Sequence, residues 1–214
     1  MKNHSIKNKS VRQGGFSLIE LSIVLVIIAL IVAGIFSGQY LIRSAEIKST
    51  IADLKHYSAS FRTFVDHYEG KPGDMSNATR YWPTSTNGDG NGVIDATEAT
   101  VVWSQLSLAD MVEGSYVVGN SQIGVHLPGA KITGAGYYIQ TIAPDDTISL
   151  VSITSTGADG PSVSPEAAEK LDRILDDGDA STGHVTATGT GCHTAGVYDT
   201  ATKDTVCILT KKIK

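Results

Sequence analysis

Acidic residues are missing from the first fifteen positions, and charge of either sign is missing from positions 21–42. The opening fifteen residues hold Lys2, Lys7, Lys9 and Arg12, which leaves 13 of the 17 basic residues against 22 acidic ones, or about −9, in the remainder. So acidic a body does not suit phosphate, and nucleic acid is not an expected partner of it. The 22 uncharged residues at 21–42 would form a helix reaching across roughly 30 Å of hydrocarbon at ~1.5 Å per residue. The run LSIVLVIIALIVAGIF has almost no polar relief, which favours a membrane span over a soluble core helix. The basic leader should stay in the cytoplasm and send everything after the span outward.

Catalytic signatures are also lacking. His4, His56, His67, His126, His184 and His193 are scattered and form neither H-E-x-x-H nor a zinc cluster. There is no G-x-S-x-G and no phosphate-binding loop. His193 follows Cys192, but neighbours on a strand point apart. The chain is therefore not expected to be an enzyme. Cysteine is scarce, with only Cys192 and Cys207. The pair reads as a disulfide in a translocated domain and as two buried thiols in a cytosolic one.

An ordinary secretory signal is cut after its apolar run, at an A-x-A-like triplet. Here the run leads into IFSGQYLIRSAEIKS, which offers none. The unusual feature lies before it, where Gly14-Gly15 separates the basic leader from Phe16-Ser17-Leu18-Ile19-Glu20. A carboxylate at the start of a membrane segment is by default functional and needs a partner. The nearest basic residues along the chain are Arg12 and Arg43. A cut after Gly15 would give Phe16 a positive α-amine one helical turn from Glu20. The same amine on a neighbouring subunit could pair with Glu20 across an apolar bundle. Snorkelling of Glu20 to the headgroups is an equal alternative.

The stretch RQGGFSLIELSIVLVIIALIVAGI resembles the class III leader and N-terminal helix of type IV prepilins and type II secretion pseudopilins. The resemblance implies that a prepilin peptidase cuts between Gly15 and Phe16 and N-methylates Phe16. Gly15 is then the residue required before the cut, and Glu20 aligns an incoming subunit through a Phe16 amine already in the filament. It implies an α+β fold, a long N-terminal helix packed on an antiparallel β-sheet head. The implied partners are like or related pilin subunits in a helical filament, the peptidase, an inner-membrane assembly platform and, before assembly, the lipid bilayer. The implied location is the inner membrane with the head in the periplasm, then a periplasmic or surface filament. Many major pilins have a proline where this chain has Ser37, within Gly34-Ile35-Phe36-Ser37-Gly38; its absence suits a minor pilin or pseudopilin. The competing function is a membrane-tethered, calcium-dependent binding module that never polymerises.

The expected map is a leader at 1–15, an assembly helix at 16–42, an amphipathic continuation at 43–69 and a head at 70–214. In the continuation Ile47, Ile51, Leu54, Tyr57, Phe61, Phe64 and Tyr68 recur at spacings of three and four, one stripe of a helix. Gly70, Pro72 and Gly73 should stop it.

Residues 87–98, NGDGNGVIDATE, fit a twelve-residue calcium loop. Oxygen side chains stand at positions 1, 3, 5, 9 and 12 (Asn87, Asp89, Asn91, Asp95 and Glu98), and the Val93 carbonyl takes position 7. Gly92 falls at the sharp turn and Ile94 at the hydrophobic position. Asn87 in place of aspartate lowers the charge and suits millimolar extracellular Ca²⁺.

A helix over 96–111 should follow, offering Val101, Val102, Leu106 and Leu108 to the core. SYVVGN, QIGVHL, GYYIQTIA and TISLVSIT read as about four antiparallel strands. Gly157-Ala158-Asp159-Gly160 resembles a calcium-binding stretch of the major pseudopilin, but the chain turns instead into a helix. Ser164-Pro165 opens that helix, which should run to Asp177 and stop at Gly178. Asp176, Asp177 and Asp179 read as a solvated helix end, with a second cation as the alternative. A Cys192–Cys207 bond would close a loop of ~15 residues, worth roughly 3 kcal/mol.

Overall fold

A computed structural model describes residue 15 and residues 17–213. The chain divides between Arg43 and Ser44 into two compact units. Helix α1 (Leu18–Tyr68) contributes to both.

In the first unit the apolar side chains of α1 are exposed, Leu18, Leu25, Leu30 and Phe36 among them. Residues 17–43 include none that is buried. Among the described residues α1 alone is long and apolar enough to cross a membrane.

The second unit is the head. Its stretch of α1 buries Ile47, Ile51, Leu54, Phe61 and Phe64, the expected stripe, while Tyr57 and Tyr68 are half-buried against the same core. Thr50 and Ser58 lie on that face because their hydroxyls donate back to the Glu46 and Leu54 carbonyls, at 2.8 and 2.6 Å. Tyr57 meets the rings of Trp103 and Tyr137 edge-on, at 4.9 and 5.0 Å. Glu69 then turns left-handed, with φ 54°, and the helix ends where expected.

The sheet is antiparallel, with β1 (Gly136–Ile142), β2 (Asp145–Ile153), β7 (Ile208–Lys212) and β4 (Val185–Thr188) in that order. β3 (Ala158–Gly160) pairs with the end of β2. The register sets Tyr137 opposite Leu150 and Ile139 opposite Ile148, and it continues from Leu150 to Leu209 and Ala187. All six are buried, as the two-residue alternation of a strand requires. Lys211 lies opposite both Ile148 and Val185 and reaches α1, donating to Ser58 Oγ at 2.9 Å. The α+β architecture is the one that the resemblance implies.

Two of the four expected strands are absent. SYVVGN and QIGVHL form loops, with one isolated bridge from Ile123 to Leu127. Gly119 and Gly124 take φ of 147° and 83°, and the His126 amide turns back to the Gln122 carbonyl at 2.9 Å. Val and Ile favour strands only where a partner strand accepts them, and here that partner is the C-terminal segment, which supplies β4 and β7. The helix expected at 96–111 is also shorter. A 3-10 turn at Glu98–Thr100 precedes α3 (Val102–Leu108), neither Thr97 nor Val101 caps with its own side chain, and Asp110 turns left-handed. Val101, Val102 and Leu106 are buried, but Leu108 is 39% exposed and lies outside the core. A four-residue helix α2 (Ala78–Tyr81) precedes the 87–98 loop.

Helix α4 (Pro165–Leu175) begins as expected, with Ser164 Oγ accepting from the Ala167 amide and proline in the first turn. It ends two residues before Asp177, and Gly178 has φ 82°. The short strands β5 (His193–Thr194) and β6 (Val197–Tyr198) form a separate hairpin.

Candidate functional site

Two regions carry the candidate chemistry. In the first, Gly15 is exposed, and a Cβ there would meet nothing within 4 Å. Phe16, the expected methylated residue, lies outside the described residues. Glu20 is exposed and accepts from the Ser17 amide at 2.8 Å, while Ser17 Oγ accepts from the Ile19 amide at 3.3 Å. This reciprocal pair is a capping box, in which the first helical amides find side-chain acceptors. Glu20 therefore has a local partner, which the search for a cation missed. The spacing S-x-x-E, Ser17 to Glu20, was its signal.

The second region is the 87–98 loop. Gly92 takes φ 85°, the turn that the loop pattern asks of it. Ile94 is fully buried, and its backbone is held by Thr141, whose hydroxyl accepts from the Ile94 amide at 2.8 Å. Gly88 packs so closely on the Gly73 carbonyl and the Asp74 backbone that a Cβ would collide with both. Buried Gln105 accepts from the Gly73 amide at 2.7 Å and donates to the Thr86 carbonyl at 3.0 Å.

Asp89 and Glu98 come together with Asp74, each offering an oxygen within 4.8 Å of the others. Asp74 and Glu98 are buried, and Asp89 is exposed. Three carboxylates at that spacing suit the oxygen shell of Ca²⁺. Other loop side chains are turned to the backbone. Asn87 Oδ1 accepts from the Thr79 amide at 2.9 Å, Asn91 Oδ1 from the Val93 amide at 2.7 Å, and Asp95 Oδ1 from the Thr97 and Glu98 amides at 2.7 and 2.9 Å. Asp74 accepts from the Asn91 and Gly92 amides at 3.0 and 2.9 Å. It lies outside the loop's own residues, so the linear pattern carried no signal for it.

Cys192 and Cys207 are joined, with Cα atoms 5.1 Å apart, and both are fully buried. The bond resolves the two readings of the pair. Cys207 also exchanges backbone hydrogen bonds with Val163, at 2.9 and 3.1 Å, so the bridge ties the 189–199 region to the start of β7.

Set beside known proteins, residues 11–36 match the prokaryotic N-terminal methylation motif. This is the class III leader of type IV pilins and pseudopilins, and it implies processing by a prepilin peptidase. No curated protein and no solved structure matches the chain.

Proposed function

We propose that the chain is a structural subunit, a minor pilin or pseudopilin, of a type IV pilus or a type II secretion pseudopilus. The observation that carries this reading is the methylation motif at residues 11–36, which runs into the charge-free, exposed apolar stretch of α1. Such a helix is soluble in lipid before assembly and in a bundle of like helices afterwards. Cleavage after Gly15 leaves a free amine on Phe16, four residues ahead of Glu20 in the sequence, so one carboxylate can cap its own helix and attract the amine of a neighbour. The role is mechanical, not catalytic. The head stands in the periplasm, and Asp74, Asp89 and Glu98 hold a calcium ion that fixes the 87–98 loop against the sheet.

Intact mass measurement of protein from its native cell tests the first half of this reading. A chain beginning at methylated Phe16 is expected; one beginning at Met1 overturns the filament role and leaves the tethered binding module.

A further inference from the structure

A second acidic cluster lies at the end of α4. Asp172, Asp176 and Asp177 each offer an oxygen within 4.8 Å of the others. Sequence reading grouped Asp176 and Asp177 with Asp179, but folding brings in Asp172 from one turn earlier. Asp179 instead accepts from the Ser181 amide at 2.9 Å.

Asp172 is the anomaly, because it is fully buried. Its Oδ2 accepts from the Tyr198 hydroxyl at 2.9 Å, but its Oδ1 is buried with no hydrogen-bond partner. Burial pushes the Asp172 carboxyl above its ordinary value, with the Asp177 and Asp176 charges adding to the effect and the Tyr198 hydroxyl and Gly178 amide opposing it. Buried carboxylates are ordinarily paired or bound to a metal. No lysine or arginine forms an ion pair with the three acids among the described residues; Arg173, on the same turn, is held by Glu169 at 2.7 Å. The Asp179 amide and the Thr182 hydroxyl hold the Asp177 carboxyl below its ordinary value, and His184 adds to the effect. The cluster also sits at the negative end of the α4 dipole, the wrong place for anions and the right place for a cation.

The surrounding loop is shaped to this arrangement. Asp176 Oδ2 accepts from the Val185 amide at 3.0 Å and also from the His184 amide. Asp177 Oδ2 accepts from Thr182 Oγ1 at 3.0 Å. Gly183 passes so close to the Asp176 carboxylate that a Cβ would collide with it. The three carboxylates are thus held together against their own repulsion.

We infer that Asp172, Asp176 and Asp177 form a second divalent-cation site, of Ca²⁺ character, which closes the 176–185 loop onto the end of α4. The ligands are all hard oxygens, and water completes the shell on the exposed Asp177 side. The site is independent of the 87–98 loop and stands if that loop binds nothing.

The test uses the full chain in detergent, stripped with EDTA and titrated with calcium chloride by calorimetry. A variant with Asp89→Asn and Glu98→Gln should still bind one calcium. Adding Asp177→Asn, at an exposed position, should weaken that binding roughly tenfold or more by removing a ligand charge. Asp172→Asn should melt higher than wild type in EDTA, where a buried unpaired charge is gone, and lower than wild type in calcium. A purely structural Asp172 would instead melt lower in both. Should the loop variant fail to fold, Asp177→Asn in the otherwise wild-type chain should still weaken the binding of one of the calcium ions roughly tenfold or more. Calcium binding unchanged by both Asp177→Asn and Asp172→Asn overturns the inference, as does the absence of binding in a folded loop variant.

Discussion

Replacing Asp74 with alanine removes a buried carboxylate that holds the Asn91 and Gly92 amides at 3.0 and 2.9 Å. Hydrogen bonds to a charged group contribute about 1.5–3 kcal/mol each. Asn91 and Gly92 are exposed, so water recovers part of what their amides lose. The lower end applies, about 3 kcal/mol for the pair. In a domain of this size that lowers the melting temperature by roughly 6–12 °C. The loss should appear in EDTA, since it does not need the ion. With calcium at ~100 times its dissociation constant, wild type gains a further ~2.7 kcal/mol, which a variant lacking the Asp74 ligand forgoes. Thermal unfolding followed by near-ultraviolet circular dichroism, with and without chelator, separates the two effects. A drop of under ~2 °C in EDTA would refute the hydrogen-bond reasoning. A variant as sensitive to chelator as wild type would refute Asp74 as a ligand.

Glu20→Gln keeps an acceptor for the Ser17 amide but not the charge, whereas Glu20→Ala loses both. If Glu20 pairs with a neighbour's amine, both variants stay in the membrane and out of filaments; filaments built normally from the glutamine variant would reduce Glu20 to a cap. Changing Cys192 and Cys207 together to serine should destabilise the head by roughly 3 kcal/mol, and reductant should do the same to wild type but not to the variant. Burial pushes the Lys211 ammonium below its free value of 10.5, with Arg62 and Lys55 adding to the effect. Its charged form therefore opposes folding at neutral pH, and the penalty fades as pH climbs toward 10.5. Lys211→Met should be the more stable protein at pH 7, with an advantage that shrinks in alkali; a constant difference across pH would refute this. Leu54→Ala should lose about 2–5 kcal/mol, read by denaturant titration, because Leu54 is 1% exposed in the core.

Much of the molecule was legible because its signals are local. The gap in charge from 21 to 42 marks the exposed apolar stretch of α1, and spacings of three and four mark the face that α1 buries. Ser164, Pro165 and Gly178 frame α4 within two residues. Ser17 and Glu20 carried a capping signal as plain as any of these, although it was overshadowed by the question of what cation Glu20 meets. The strands were harder. SYVVGN and QIGVHL have strand composition, but pairing is a property of two segments, and no local feature says that β7 and not residues 115–127 will lie beside β2.

By itself the amino-acid order determined where the chain is apolar enough to enter lipid and where α1 and α4 form, because hydrophobicity, caps and glycines act within a few residues of their own position. Only the tertiary structure decided which carboxylates meet. Asp74 reaches Asp89 and Glu98 because Gly88 packs against the backbone ahead of it, and Asp172 meets Asp176 and Asp177 at a helix end sealed by Tyr198. Charges separated along the chain become one site only when the packing of uncharged neighbours holds them within a few ångströms.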